Sequence, residues 1–323
     1  AVKTVSALLK DDQIWAKAGF EVAFGQTIVG EYKPLSVSKQ PLKVIIGDGN
    51  IGIRYNDFEV MFANSEGLIS LKYGNHEYIA RAPRPVFSRA STDNERGYKH
   101  EVNSSMWFGA STFYNCTKFN YEVASDYSSV KVFFEYTLPV IPATTVDIVF
   151  TVRAPGIIRV DYHYHGKAGL PELPLIGMCF KLYDQVDRFE YLGRGPLENY
   201  IDRNKGAVLG KYTYKASENV TPYLYPQECG NRTGVNNITI SSGKHSLIIK
   251  GNNFEFSAIP YTPFEMENAK HADELPSPYQ TVLCIYERQM GVAGDDTWGA
   301  KTHDEYLLSN SKEHRLSISI KGK

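Results

Sequence analysis

Hydrolysis by paired carboxylates requires two acids held roughly 5–9.5 Å apart around the bond to be cut. Among its close acidic pairs, Asp93/Glu95, Glu265/Glu267 and Asp295/Asp296 call for a test. Each pair is too close in sequence to face itself across a substrate, and nothing singles out an acid and a nucleophile. No serine in a nucleophile elbow accompanies a His and an Asp. In Asp161-Tyr-His163-Tyr-His165, a period of two puts three metal-ligating side chains on one strand face, a set that could take zinc. The same alternation describes the wet face of any half-exposed strand, and no metal site is expected. Gly193-Arg-Gly195 has the look of a phosphate cradle. Pro196 then follows the second glycine and no helical period opens behind it, which argues against a nucleotide fingerprint.

Other stretches offer surfaces or scaffolding. In Gly291-Val-Ala-Gly294-Asp295-Asp296-Thr297-Trp298-Gly299, the tryptophan stands between Thr and Gly beside two carboxylates, outside any aliphatic strand. Its ring face could stack on the apolar C–H face of a sugar whose hydroxyls the carboxylates accept; a packing role is the alternative. Arg89-Ala-Ser-Thr-Asp93-Asn94-Glu95-Arg96-Gly97 is a charged loop ending in a glycine free to take φ > 0. It reads either as a mobile loop over a site or as a capped, salt-bridged turn. Tyr191-Leu-Gly193-Arg-Gly195-Pro196-Leu-Glu198-Asn199-Tyr200-Ile-Asp202-Arg203 begins as a strand and breaks at its glycines. The crowd of polar side chains after the break reads as a tight turn whose groups satisfy one another.

The elements that must position these residues are mostly strands. Two are expected at Val2–Leu9 and Gly19–Val29, followed by a polar, proline-bounded linker from Glu31 to Pro41. Two strands alone do not bury enough to be stable in water, so this pair must pack on something else. From Leu42 onward short alternating segments recur between Gly, Pro and Asn punctuation, among them Gly67–Tyr73, Val130–Tyr136, Thr145–Val152, Ile157–His165, Thr281–Glu287 and Leu316–Ile320. That rhythm is the all-β signature, and so many strands imply a large sandwich of two extended sheets. Helix signals are few: Thr262-Pro263-Phe-Glu265 opens a short helix reaching about His271, and Ser104–Ser111 is a second.

Composition narrows the partners. The 323 residues carry 35 basic and 36 acidic side chains, so there is no basic field for nucleic acid or anionic lipid. No apolar run reaches the ~18–20 residues of a membrane span. Aromatic content of 13%, with 22 Tyr, suits a β-rich protein and a carbohydrate partner. The four cysteines, Cys116, Cys179, Cys229 and Cys284, lack a C-x-x-C spacing and read as free thiols that leave the compartment undecided.

Taken in order, Arg89-Ala90 with Asp93-Asn94 and Gly97, the 191–203 stretch, Pro222-Tyr-Leu-Tyr-Pro226-Gln-Glu228-Cys-Gly230-Asn-Arg232 and Gly294-Asp-Asp-Thr-Trp298 resemble the C-terminal part of the family 2 β-galactosidases. The resemblance spans about residues 42–321 and implies a galactose-mutarotase-like β-supersandwich. Residues 1–36 look like the closing strands of an incomplete immunoglobulin-like domain plus linker, a match carried by Ile14–Phe20 and Glu21–Gln26. The family's pattern implies that Trp298 stacks on the sugar and that a mobile loop begins at Asp93 and Asn94. It places the catalytic glutamates and magnesium in a barrel outside this chain, which is expected to hold no cofactor and no catalytic residue of its own. The implied partners are a galactoside and that barrel, in an oligomer. A piece of a longer single-chain enzyme is favoured over a natural small subunit, because the resemblance starts inside the preceding domain. The rival expectation is a free-standing carbohydrate-binding or scaffold module.

Overall fold

A computed structural model of the chain describes residues 2–30, 33–183 and 188–323. Ala1, and Glu31 and Tyr32 of the expected linker, lie outside the described residues. β1 (Val2–Leu8) and β2 (Glu21–Ile28) form an antiparallel pair in register from Val2↔Ile28 to Leu8↔Glu21. β3 (Lys43–Ile46), β4 (Asn50–Tyr55), β5 (Phe58–Ala63), β6 (Gly67–Tyr73) and β7 (His76–Glu77) follow as a five-stranded antiparallel meander in chain order. Alternation makes it one-sided, with Ile51, Ile53, Phe58, Val60 and Phe62 all turned inward. Its tight turns use Asn56 and Asn75, both at positive φ, a conformation asparagine tolerates better than most residues.

The remaining chain runs β8 (Ile79–Val86), α1 (Asp93–Gly97), α2 (His100–Asn103), α3 (Ser105–Thr112), β9 (Asn115–Val123), β10 (Ser129–Thr137), β11 (Thr145–Arg153), β12 (Ile157–Tyr164), β13 (Leu175–Leu182), β14 (Arg188–Gly195) and β15 (Val208–Tyr214). It ends with β16 (Arg232–Ser242), β17 (His245–Ile259), α4 (Pro263–Asn268), β18 (Thr281–Gln289) and β19 (His314–Gly322). These strands form a second, twelve-stranded sheet whose main path is β15-β14-β16-β17-β19-β12-β11-β10-β9. The 15-residue β17 is where the sheet forks. Its first half pairs with β19, and its second half pairs with β18, which leads on to β13 and β8. The five-stranded sheet packs on the large one, with the Phe62 ring 5.1 Å from Phe150 and 6.3 Å from Phe134. The result is an all-β supersandwich with its core between the two sheets. Among the described residues, no helix is long and apolar enough to cross a membrane.

The expected break is corrected at its first glycine only: β14 runs through Gly193 and ends at Gly195, ahead of Pro196. Both glycines are also close-packed. They are required for close approach, since a Cβ on Gly193 would lie 2.7 Å from Val235 Cγ2, and one on Gly195 2.5 Å from the Tyr191 hydroxyl. The segment from Asp93 takes the capped, salt-bridged form weighed against a mobile loop: it is built as the short helices α1 and α2, with Thr92 Oγ1 and the Glu95 carboxylate forming a reciprocal capping box and Glu95 paired with Arg89. Gly97 closes α1 without a positive φ; its role is again proximity, described next.

Candidate functional site

Trp298 is 84% exposed, whereas Trp107 is fully buried in the core. An indole left in water on an unanchored loop would wander, so what holds residues 292–300 in place matters most. Asp296 Oδ1 accepts from the backbone N–H groups of Trp298 (2.9 Å), Gly299 (3.2 Å) and Ala300 (2.9 Å). Those donors hold the Asp296 carboxyl below its ordinary range. From α1, Asn94 Nδ2 donates to the carbonyls of Asp296 (2.8 Å) and Ala300 (3.1 Å). Gly97 lies flat against the loop: a Cβ there would fall on the Trp298 carbonyl oxygen and 2.5 Å from Gly299 Cα. From the 191–203 stretch, Asp202 Oδ2 accepts from the N–H groups of Val292 and Ala293, both at 2.8 Å. Asp295 points outward to His303 (2.8 Å) and, by that hydrogen bond, raises the imidazole's pKa. Two stretches far apart in sequence, α1 and 191–203, thus converge on one loop that Asp296 also ties from within.

Beneath it lies a buried polar layer. The Arg89 guanidinium donates to Glu95 Oε1 from Nη2 (2.7 Å) and Nε (3.2 Å), to the Gly291 and Met290 carbonyls (2.7 and 2.8 Å), and to Gln289 Oε1 (3.3 Å). Burial alone would raise Glu95, but the Arg89 charge overrides it and keeps the carboxyl below its usual value. Glu228 Oε1 accepts from Gln289 Nε2 (3.0 Å) and the Tyr200 hydroxyl (3.3 Å), and Glu255 Oε2 from Asn231 Nδ2 (3.1 Å) and Gln289 N (3.3 Å). Burial pushes Glu228 and Glu255 each up to about 7, with Arg89 opposing the rise at Glu228 and the Asn231 hydrogen bond opposing it at Glu255.

The other predicted residues knit this layer to the sheet. Asn199 donates to the Arg194 and Leu197 carbonyls and accepts twice from Thr233 through Oδ1. Glu198 accepts from Arg203 (2.6 Å), Tyr223, Thr221 and Gly230 N, donors that outweigh its burial and hold its pKa low. Arg232 donates to Tyr191 Oη (2.9 Å), the Asn231 carbonyl and Asn219 Oδ1. Asp93 is exposed and exchanges hydrogen bonds with Gln227. Pro196 and Leu197 line a groove of about 910 Å³ with Arg203 and Thr221; Trp298 is not part of its wall.

In each of the three acidic pairs weighed from the sequence at least one member is committed elsewhere, and Asp93 and Asp295 are exposed at the surface. Glu95 pairs with Arg89, Asp296 holds backbone, Glu265 caps α4 through Thr262, and Glu267 accepts from Ser91 N (2.6 Å). Sequence reasoning missed the roles of Gln289, Asn231 and Glu255. For Glu255 the signal was a carboxylate flanked by Phe254 and Phe256 in a strand that buries both faces. The four cysteines are free thiols.

A model of the β-galactosidase small chain family matches residues 54–320. A curated β-galactosidase from Halalkalibacterium halodurans is 39% identical over 327 residues, covering 97% of this chain and 32% of that protein. One from Streptococcus thermophilus is 36% identical over 320 residues, covering 98% and 31%. A β-galactosidase small subunit from Latilactobacillus sakei is 34% identical over 311 residues, covering 86% of this chain and 97% of that subunit. The chain therefore spans about a third of the length of the first two relatives, and nearly all of the third. Among solved structures, a galactose 1-epimerase from Lactobacillus acidophilus aligns with 89% of this chain and 99% of its own at a TM-score of 0.48 and 9% identity; nothing about activity rests on that likeness. With a family model covering most of its length and a small subunit matched nearly end to end, this chain belongs to the β-galactosidase small chain family.

Proposed function

We propose that this chain supplies one wall of the galactoside site of a family 2 β-galactosidase, through Trp298, while the bond-breaking carboxylates come from the catalytic barrel of the same enzyme. The observation that carries the reading is an indole 84% exposed on a loop held by Asn94, Asp202 and its own Asp296. With the backbone of its loop held, a solvent-facing aromatic meets part of the ordering cost of binding a pyranose face before ligand arrives. A sugar face covering about 50–100 Å² of the ring gains about 1–3 kcal/mol. Retaining cleavage needs an acid and a nucleophile about 5–5.5 Å apart and open to substrate. The commitment of at least one acid in each pair to caps, backbone and ion pairs supports placing that chemistry elsewhere. Glu228 and Glu255 carry raised pKa values yet are under a tenth exposed, so neither reaches a substrate.

The test is nitrophenyl-galactoside hydrolysis by the chain alone and together with a β-galactosidase large chain. The chain alone should be inactive, and the pair active. Trp298→Ala in the active assembly should lower kcat/KM about 5- to 150-fold, the equivalent of about 1–3 kcal/mol. Hydrolysis by the isolated chain would overturn the assignment of the carboxylates. Unchanged kinetics in Trp298→Ala would overturn the wall. The rival, a free-standing carbohydrate-binding module, requires micromolar galactose affinity in the isolated chain; a single stacked ring gives far weaker binding.

A further inference from the structure

On the outer face of the large sheet, far in sequence from the residues above, β11 and β12 bring three metal-ligating side chains together. Tyr162 and Tyr164 point into the core, so His163 and His165 point out. Asp161 shares their face but is occupied: Arg159 Nε and Nη2 reach its carboxylate at 2.8–3.0 Å. The third ligand is instead Asp147, the cross-strand register partner of His163, whose Oδ2 lies 2.6 Å from His165 Nε2. The two imidazole centroids are 4.0 Å apart. One ligand atom from each of Asp147, His163 and His165 lies within 4.8 Å of the others.

His163 Nε2 is buried and 3.2 Å from Glu313 Oε2, but not aligned for a hydrogen bond, so a ring nitrogen is left without a good partner. We propose that Asp147, His163 and His165 form a binding site for a divalent transition-metal ion of the zinc class, with a fourth position left to water. Two imidazoles and a carboxylate suit zinc far better than the all-oxygen shells of magnesium or calcium. Bonds of about 2.0–2.2 Å to a tetrahedral ion separate donors by about 3.3–3.6 Å, and side-chain rotation on an open sheet face closes the gap from 4.8 Å.

The untagged full chain, stripped with a chelator, is titrated with Zn²⁺ by calorimetry and with Co²⁺ by visible absorption. One ion per chain with micromolar affinity, and the intense absorption of tetrahedral Co²⁺, are expected. His163→Gln/His165→Gln should abolish the spectrum, and Asp147→Asn should weaken binding at least about tenfold. All three positions are on the sheet surface, and circular dichroism checks that the variants fold. The stacked His76 and His245 rings, 4.1 Å apart, are a second place for an ion to settle. The site is overturned if the wild type binds only in the millimolar range, or if binding survives the double variant and disappears in His76→Gln.

Discussion

At the residue scale, a tightly constrained position beside Trp298 has no side chain. A methyl group on Gly97 would collide with backbone atoms of Trp298 and Gly299, not with a flexible side chain that could step aside. Gly97→Ala should therefore push the Asp296–Ala300 loop away from α1, at about 1–3 kcal/mol of overpacking, and lower kcat/KM of the active assembly toward the Trp298→Ala level. Gly206→Ala, where nothing lies within 4 Å of the new Cβ, is the matched control and should leave both stability and activity unchanged. Equal kinetics for the two variants would mean that the α1 contact does not position the indole. The expectation of a glycine selected for positive φ pointed to the right residue for the wrong reason. A sequence marks that glycine is needed, whereas only the fold reveals whether conformation or a neighbour demands it.

At the element scale, the buried layer under the loop sets a pH dependence whose sign follows from Glu255. Its pKa rises on folding from about 4.5 to about 7, so the folded state prefers it protonated. That contribution is complete below about pH 4.5 and is lost as pH rises through 7, on the order of 3 kcal/mol at most. Glu255→Gln keeps an acceptor for Asn231 and Gln289 N but removes the charge. Its melting temperature relative to wild type should be similar at pH 4.5 and higher by several degrees at pH 8. A difference that stays constant across that range would show that Glu255 does not titrate near 7. Glu95 and Glu198 act in the opposite sense, their stabilisation fading as pH falls, so the acid limb belongs to them.

Legibility in the sequence divided along the same line. Strands with clean alternation, such as Val130–Tyr136 and Thr145–Val152, and the Thr262/Glu265 cap could be read because their causes are local. β13 could not, and β17 was legible only as two separate segments, Ser246–Lys250 and Phe254–Ala258. Leu175–Leu182 is buried nearly throughout and shows no alternation, and Gly251-Asn-Asn253 reads as a turn although cross-strand partners on both sides carry β17 through it. Asp147 as partner to His163 was invisible for the same reason, since cross-strand register is a property of the sheet.

At the scale of the whole molecule, β1 and β2 stand apart from the two main sheets. Val5, Leu8, Ile14, Trp15, Phe20, Val22 and Ile28 are all exposed on this pair and its connection. A lone hairpin is marginal in water, so this much uncovered apolar surface marks a face built to be covered. Its ties to the supersandwich are slight. Gln26 exchanges hydrogen bonds with the Leu209 backbone at 2.7 and 3.1 Å, and Lys250 reaches the Lys33 carbonyl at 3.4 Å. Ser38 N–H to the Ala154 carbonyl and the buried Leu42 begin the firm attachment. A chain shortened to start at Lys33 should lose only about 1–2 kcal/mol, the net worth of the two Gln26 bonds, and melt within a few degrees of the full chain. It should also self-associate less at high concentration, because the apolar pair is the main adhesive patch. Calorimetry and analytical ultracentrifugation check both. A fall of more than about 10 °C would mean that the hairpin shares the core of the large sandwich.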